Sequence, residues 1–155
     1  MRTFGSPAEL AAAVGDTLGP GRWHPVGQDR VDLFADATDD HQWIHVDPRR
    51  AAAGPFRGTV AHGYLTLSLL PALVRDVYRV DGVRMGVNYG LNRVRFPAPL
   101  RTGGRIRASV RIDAVTEAAG GLQVVKTVTV DSDGGGRPVC VAETVSRLYL
   151  AGEES

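Results

Sequence analysis

Apolar residues recur at three- and four-residue spacing through the first half of the chain and at alternate positions through the second, with the change near Gly82. The first pattern marks helices and the second half-buried strands. Ser6-Pro7-Ala8-Glu9 opens a short helix, with Ser6 as cap and Glu9 completing a capping box. Gly15 ends it, and the helix is expected on the surface. Gly19-Pro20-Gly21 predicts a turn, and Arg22 to Val26 a strand entering the domain. Val31, Phe34, Ala35 and Thr38 give Gln28 to Thr38 one apolar helical face. Asp39 to Asp47 is too polar for that helix to continue. Asp47 then caps a new helix at Pro48 to Ala53, and Gly54-Pro55 stops it.

Ala61 to Arg79 predicts the longest helix. Leu65, Leu69, Leu70, Leu73, Val74 and Val77 leave almost no polar side, so it should be buried, with a kink at Pro71. Beyond Gly82, Val83 to Phe96 reads as a strand with a bulge near Gly90. Arg105 to Val115 alternates Ile106, Ala108, Val110 and Ile112 with Arg105, Arg107, Ser109 and Arg111. Leu122 to Val130 alternates Leu122, Val124, Val128 and Val130 with Gln123, Thr127 and Thr129. Gly120-Gly121 and Gly134-Gly135-Gly136 are turns, and Val139 to Leu150 is the last strand. Helices followed by four consecutive antiparallel strands make an α+β protein, with the long helix packed under one sheet face.

Composition narrows the picture. The 155 residues suit one domain spanning 1–155, and a formal charge of +1 offers no field for nucleic acid or an anionic membrane. Of the 18 basic residues only Lys126 is lysine. A single cysteine, Cys140, forms no disulfide framework, which fits the cytoplasm. The start of the chain lacks the apolar core of a signal peptide, and no apolar run is long enough to span a membrane.

Asp36, Asp39, Asp40, His41, His45, Asp47 and His62 concentrate around the polar turn before the long helix. Adding water to an activated alkene needs a water, a group that takes its proton and a group that protonates carbon. Asp40 and His45, five residues apart on either side of a turn, can grip one water between them. At the start of the helix His62 and Gly63 bring free backbone N–H groups and partial positive charge, a site for a carbonyl gaining enolate character. Capping or solvated aspartates and hydrogen-bonded structural histidines are the ordinary alternatives. A metal held by His41, His45 and His62 is another. The spacing lacks a neighbouring glutamate, and no metal is expected.

The run Asp40-His41-Gln42-Trp43-Ile44-His45-Val46-Asp47, with Arg50-Ala51, Phe56 and Ala61-His62-Gly63-Tyr64-Leu65-Thr66-Leu67-Ser68, resembles the MaoC-like hydratase/dehydratase family. Asn88 to Pro99 resembles its single-domain, NodN-like branch. The resemblance implies a hotdog fold, in which an antiparallel sheet wraps a long helix and two subunits pair their sheets. It implies (R)-specific hydration of enoyl thioesters of CoA or acyl carrier protein, with CoA as part of the substrate and no separate cofactor. It places catalysis on Asp40 and His45 and the thioester oxygen on the Gly63 N–H. The acyl chain would run along the helix beneath Asn88 to Asn92. Many relatives carry Asn-Pro where this chain has Gln42-Trp43, so Trp43 either narrows the tunnel or packs under the loop. Arg93 and Arg95 suit CoA phosphates or a solvated strand edge. Tyr89 lines the pocket or fills core.

Overall fold

The computed structural model describes residues 1–151. In chain order the elements are β1 (Arg2–Phe4), α1 (Pro7–Ala12), β2 (Thr17–Leu18), β3 (His24–Pro25), α2 (Gln28–Thr38), α3 (Trp43–Val46) and α4 (Pro48–Ala52). Then come α5 (Gly63–Ser68), α6 (Leu70–Arg75), β4 (Tyr78–Val80), β5 (Val83–Arg95), β6 (Arg105–Ala118), β7 (Gly121–Ser132) and β8 (Cys140–Leu150).

Local chemistry explains several boundaries. The Ser6 hydroxyl accepts from the Glu9 amide at 3.2 Å, and the Glu9 carboxylate reaches back to the Gly5 amide at 2.8 Å. The box therefore closes one residue earlier than its usual form. Helix α1 is short as expected, but it is not merely superficial, because Leu10 and Ala13 are buried in the core. Asp47 caps α4 through its carboxylate, 2.9 Å from the Arg50 amide.

The long helix is broken. Between Gly63 and Arg75 the chain forms two six-residue helices that meet at Leu69. Pro71 sits in the first turn of α6, where its missing N–H costs nothing. The second helix ends at Arg75, and Tyr78–Val80 leaves to pair in parallel with β1. One side of the pair is buried through Leu65, Thr66, Leu70 and Leu73. Tyr64 on the other side is exposed.

The main sheet runs β2-β6-β7-β8-β5, with β3 also on β6. The four long strands are all present, and β6, β7 and β8 lie side by side in sequence order, but the first of the four does not precede β6 in the sheet. β5 crosses over to pair with β8, with register shifts around Asn88/Gly90 where the bulge was expected. The strand predicted over Arg22 to Val26 shortens to His24–Pro25. On β6 the alternation holds, with Ile106, Ala108, Val110 and Ile112 buried. On β7 the inward set is Val124, Lys126, Val128 and Val130, and Leu122 is only half-buried. A lysine takes a position that the apolar pattern had skipped.

One hydrophobic cluster joins Leu65, Leu70 and Leu73 to the inner sheet face at Ile106, Val110, Val128 and Ala142. A mostly antiparallel sheet closed on a central helical segment is the hotdog arrangement. No helix among the described residues is long and apolar enough to cross a membrane.

Candidate active site

The polar turn is built by three interruptions. Asp39 takes a left-handed conformation (φ 58°) and ends α2. Helix α3 then makes a single turn, which the polarity of Asp39 to Asp47 had hidden, and carries His45 inward. Val60 forms an isolated bridge with Arg101, so its carbonyl is fixed beside the turn.

His45 is 7% exposed, and its Nδ1–H donates to the Val60 carbonyl at 2.6 Å. Burial is the largest influence on its imidazole and pushes the pKa below the usual 6.5; His62 lowers it further, while the Val60 bond and Asp40 oppose. The ring is therefore neutral at pH 7, with Nε2 left as an acceptor. Asp40 lies across from it with a half-exposed carboxylate. One ligand atom each from Asp40, His45 and His62 lies within 4.8 Å of the others. That is a span one water bridges with two ordinary hydrogen bonds of about 2.8 Å.

His62 is 2% exposed and caps α5 without a side-chain capping bond. Its Nε2–H donates to the Asp40 backbone carbonyl at 2.9 Å. The ring stacks on His45 with centroids 3.8 Å apart and meets Phe34 at 5.0 Å. Its Nδ1 is buried with no partner among the described residues. The trio Asp40, His45 and His62 is also the set that could hold a cation. His41, named in the alternative metal trio, is instead exposed and paired with Asp36 at 2.8 Å.

The other expected residues divide. Gly63 begins α5 beside His62, with its amide at the helix start. The space a side chain would take there is not open to substrate, because a Cβ would stand 2.9 Å from the Phe96 ring. Trp43 packs under the loop, against Gly54 and below the Arg50 guanidinium at 4.5 Å. Asn88 lines a cavity between α5–α6 and the sheet, whose lining includes neither Asp40 nor His45. Tyr89 lines no such pocket and fills no core. It is 64% exposed and lies under Arg147, because the bulge turns it to the outer side of β5. Arg93 and Arg95 are exposed on the same strand, and Arg95 donates to the Val94 carbonyl.

Three supporting groups escaped the sequence reading. Gln28 donates to the His45 carbonyl at 2.7 Å and accepts from Thr59 at 2.7 Å, tying α2 to both sides of the turn. Phe34 buttresses His62, and Val60 orients His45. Phe34 was visible as part of an apolar helical face, but no spacing signals which loop that face will meet.

The state of His45 sets a pH dependence. If its neutral form is required, the acid limb of kcat/KM falls below pH 6.5, and a limb at or above 6.5 contradicts the assignment. Stability follows the same sign. Between the depressed folded value and 6.5 the unfolded chain binds more protons, so stability falls as pH drops below 6.5. Denaturant titrations at several pH values check this, and His45→Gln should flatten that part of the profile.

A MaoC like domain matches residues 9–134. The chain is 53% identical over 152 residues to the 3-hydroxyacyl-thioester dehydratase Z of Mycobacterium tuberculosis, covering 97% of this chain and 100% of that protein. It is 44% identical over 148 residues to the Nodulation protein N of Rhizobium leguminosarum bv. viciae, covering 94% and 92%. Among solved structures, the unliganded R-Hydratase PhaJ1 from Pseudomonas aeruginosa superposes with a TM-score of 0.74 at 22% identity, covering 97% of this chain and 91% of that one. The chain belongs to the MaoC-like dehydratase family.

Proposed function

We propose that this protein is a single-domain (R)-specific enoyl-CoA hydratase and 3-hydroxyacyl-thioester dehydratase, adding water reversibly to a trans-2-enoyl thioester of CoA or acyl carrier protein. The observation that carries this reading is the convergence of the Asp40 carboxylate and a ring nitrogen of His45 to within 4.8 Å. It is supported by 53% identity to a protein named as a thioester dehydratase.

The chemistry follows from the protonation states. A water held between Asp40 and His45 Nε2 donates to both, so its lone pair is free to face C3 of the enoyl group. As oxygen bonds to C3, Asp40 takes the water proton and electrons move through C2 to the thioester oxygen. The Gly63 N–H at the start of α5 receives that oxygen. The proton then passes from Asp40 to C2 on the same face, so addition is syn and every atom of the water is accounted for. His45 orients the water and shares its proton transfer. Dehydration runs the same steps backwards. No metal or redox group takes part.

The partner is a second copy. β5 pairs only with β8 among the described residues, and Met85, Val87 and Leu91 on it are exposed. An unpaired apolar edge of this kind is a surface that association covers. We place the enzyme in the cytoplasm, where the buried thiol of Cys140, pushed up to about 11 by burial, stays reduced and inert.

One preparation tests these points. Protein dialysed against EDTA should hydrate crotonyl-CoA and release no free CoA thiol. Its mass by light scattering should be twice the 16.5 kDa of one chain. Thiol release instead of hydration means a thioesterase, and binding without turnover means a carrier module. Activity that returns only with added metal removes the metal-free mechanism, and a mass of one chain removes the dimer.

A further inference from the structure

The sole lysine is in an improbable place. Lys126 lies on the inner face of β7 and is 8% exposed, among residues of the apolar core. Its ammonium donates to the Ser146 hydroxyl at 2.7 Å. It has no carboxylate partner among the described residues. An ammonium carries three donors, and a buried one without an anion is costly. Burial pushes its pKa down to about 8, which still leaves it protonated at neutral pH.

Lys126 lines a cavity of about 880 Å³ between α5–α6 and the β5–β8–β7 part of the sheet. Its walls are apolar where Leu67, Leu70, Val74, Val128 and Leu148 meet. The charged residues in its lining are Arg75, Arg79 and Lys126, all cationic, and no acidic residue joins them. Along the helices the lining begins at Leu67, about 6 Å beyond Gly63 at 1.5 Å per residue. A chain whose thioester is held at Gly63 therefore has this cavity beyond its reacting carbons.

We infer that the cavity selects acyl chains bearing a carboxylate at the far end, with Lys126 as the residue that receives it. This rests on the reading that Gly63 holds a thioester. A carboxylate brings the missing counter-charge and acceptors, while the methylene chain between fills the apolar walls. A methyl-ended chain leaves the ammonium with the Ser146 hydroxyl alone. The phosphates of CoA share the anionic chemistry, but they lie at the other end of the thioester.

The test compares methyl-ended and ω-carboxy trans-2-enoyl-CoA series of matched length in the wild type and in Lys126→Met. At its best length the wild type should favour the carboxy-ended substrate by about tenfold in kcat/KM, the scale of one charged hydrogen bond. Lys126→Met should reverse or erase that ratio. Calorimetric binding of the saturated ω-carboxyacyl-CoA, its methyl-ended counterpart and free CoA to the wild type keeps the inference testable if the variant fails to fold. It also separates a failed hydratase reading, in which carboxy-selective binding persists without turnover. No carboxy preference at any length, in rate or binding, overturns the inference. So does a Lys126→Met variant that weakens free CoA as much as the carboxy-ended ligand.

Discussion

Asp40→Asn and His45→Gln are each expected to lower kcat for crotonyl-CoA hydration by at least about 100-fold, the scale of a lost general acid or base. Asn preserves the shape of residue 40 but presents a donor face and cannot carry the water proton. Gln at 45 removes the Nε2 acceptor that the Val60 bond exposes. Asp40 is exposed, so its Asn variant should unfold within a few degrees of the wild type. Both groups act on one water, so the double variant should be little slower than the worse single one. Turnover within about threefold of wild type in either folded variant defeats the mechanism. Losses that multiply in the double variant instead mean two independent roles, and the shared water is then wrong.

Much of the scaffold around that water was legible. Helix α2 runs from Gln28 to Thr38 as its apolar spacing predicts, and Asp47 caps α4 as a helix-start aspartate should. β6 alternates as written. These features depend on neighbours within a few residues, which spacing reports directly. What spacing could not report was competition between elements. Apolar continuity from Ala61 to Arg79 suggested one helix, but β1 recruits Tyr78–Val80 into a parallel pair and ends the helical segment early. Four consecutive antiparallel strands were expected with no order in the sheet, and β5 takes its place at the edge against β8. Lys126 was left out of the alternation in β7, although period two places it between Val124 and Val128 on the inner face. Polarity had outweighed register there, and the residue so passed over is the buried cation of the cavity.

The site was legible to a similar depth. The five-residue step from Asp40 to His45 marked two groups that do converge, and the resemblance singled out the same pair. The groups that hold them came from far along the chain: Gln28 on the His45 carbonyl, Val60 on its imidazole, and His62 on the Asp40 carbonyl. Gly63 was read for its backbone N–H, and nothing near it in sequence signalled that the ring of Phe96, just after β5, packs where its side chain would stand. Each of these contacts is set by how loops pack on one another, and no local pattern encodes it.

His62→Ala should separate stability from positioning. The ring lies between Phe34 and His45, so its removal leaves a hole in a well-packed region and should cost about 3 kcal/mol, as for other buried aromatics. It also releases the Asp40 carbonyl, and the carboxylate on the same residue then wanders from the water it must meet. Turnover should fall at least about tenfold beyond any loss of folded protein, because misplacement on the ångström scale is enough to cost that much. Stability alone does not account for this ring, since its buried, unpartnered Nδ1 is itself a cost of about 1–3 kcal/mol. His62→Gln is the discriminating variant. Its amide N–H can reach the Asp40 carbonyl while the stacking is lost. Turnover recovered in His62→Gln, with melting still below wild type, assigns His62 to positioning. Equal losses of kcat in the Ala and Gln variants, measured where both are folded, would reduce it to packing.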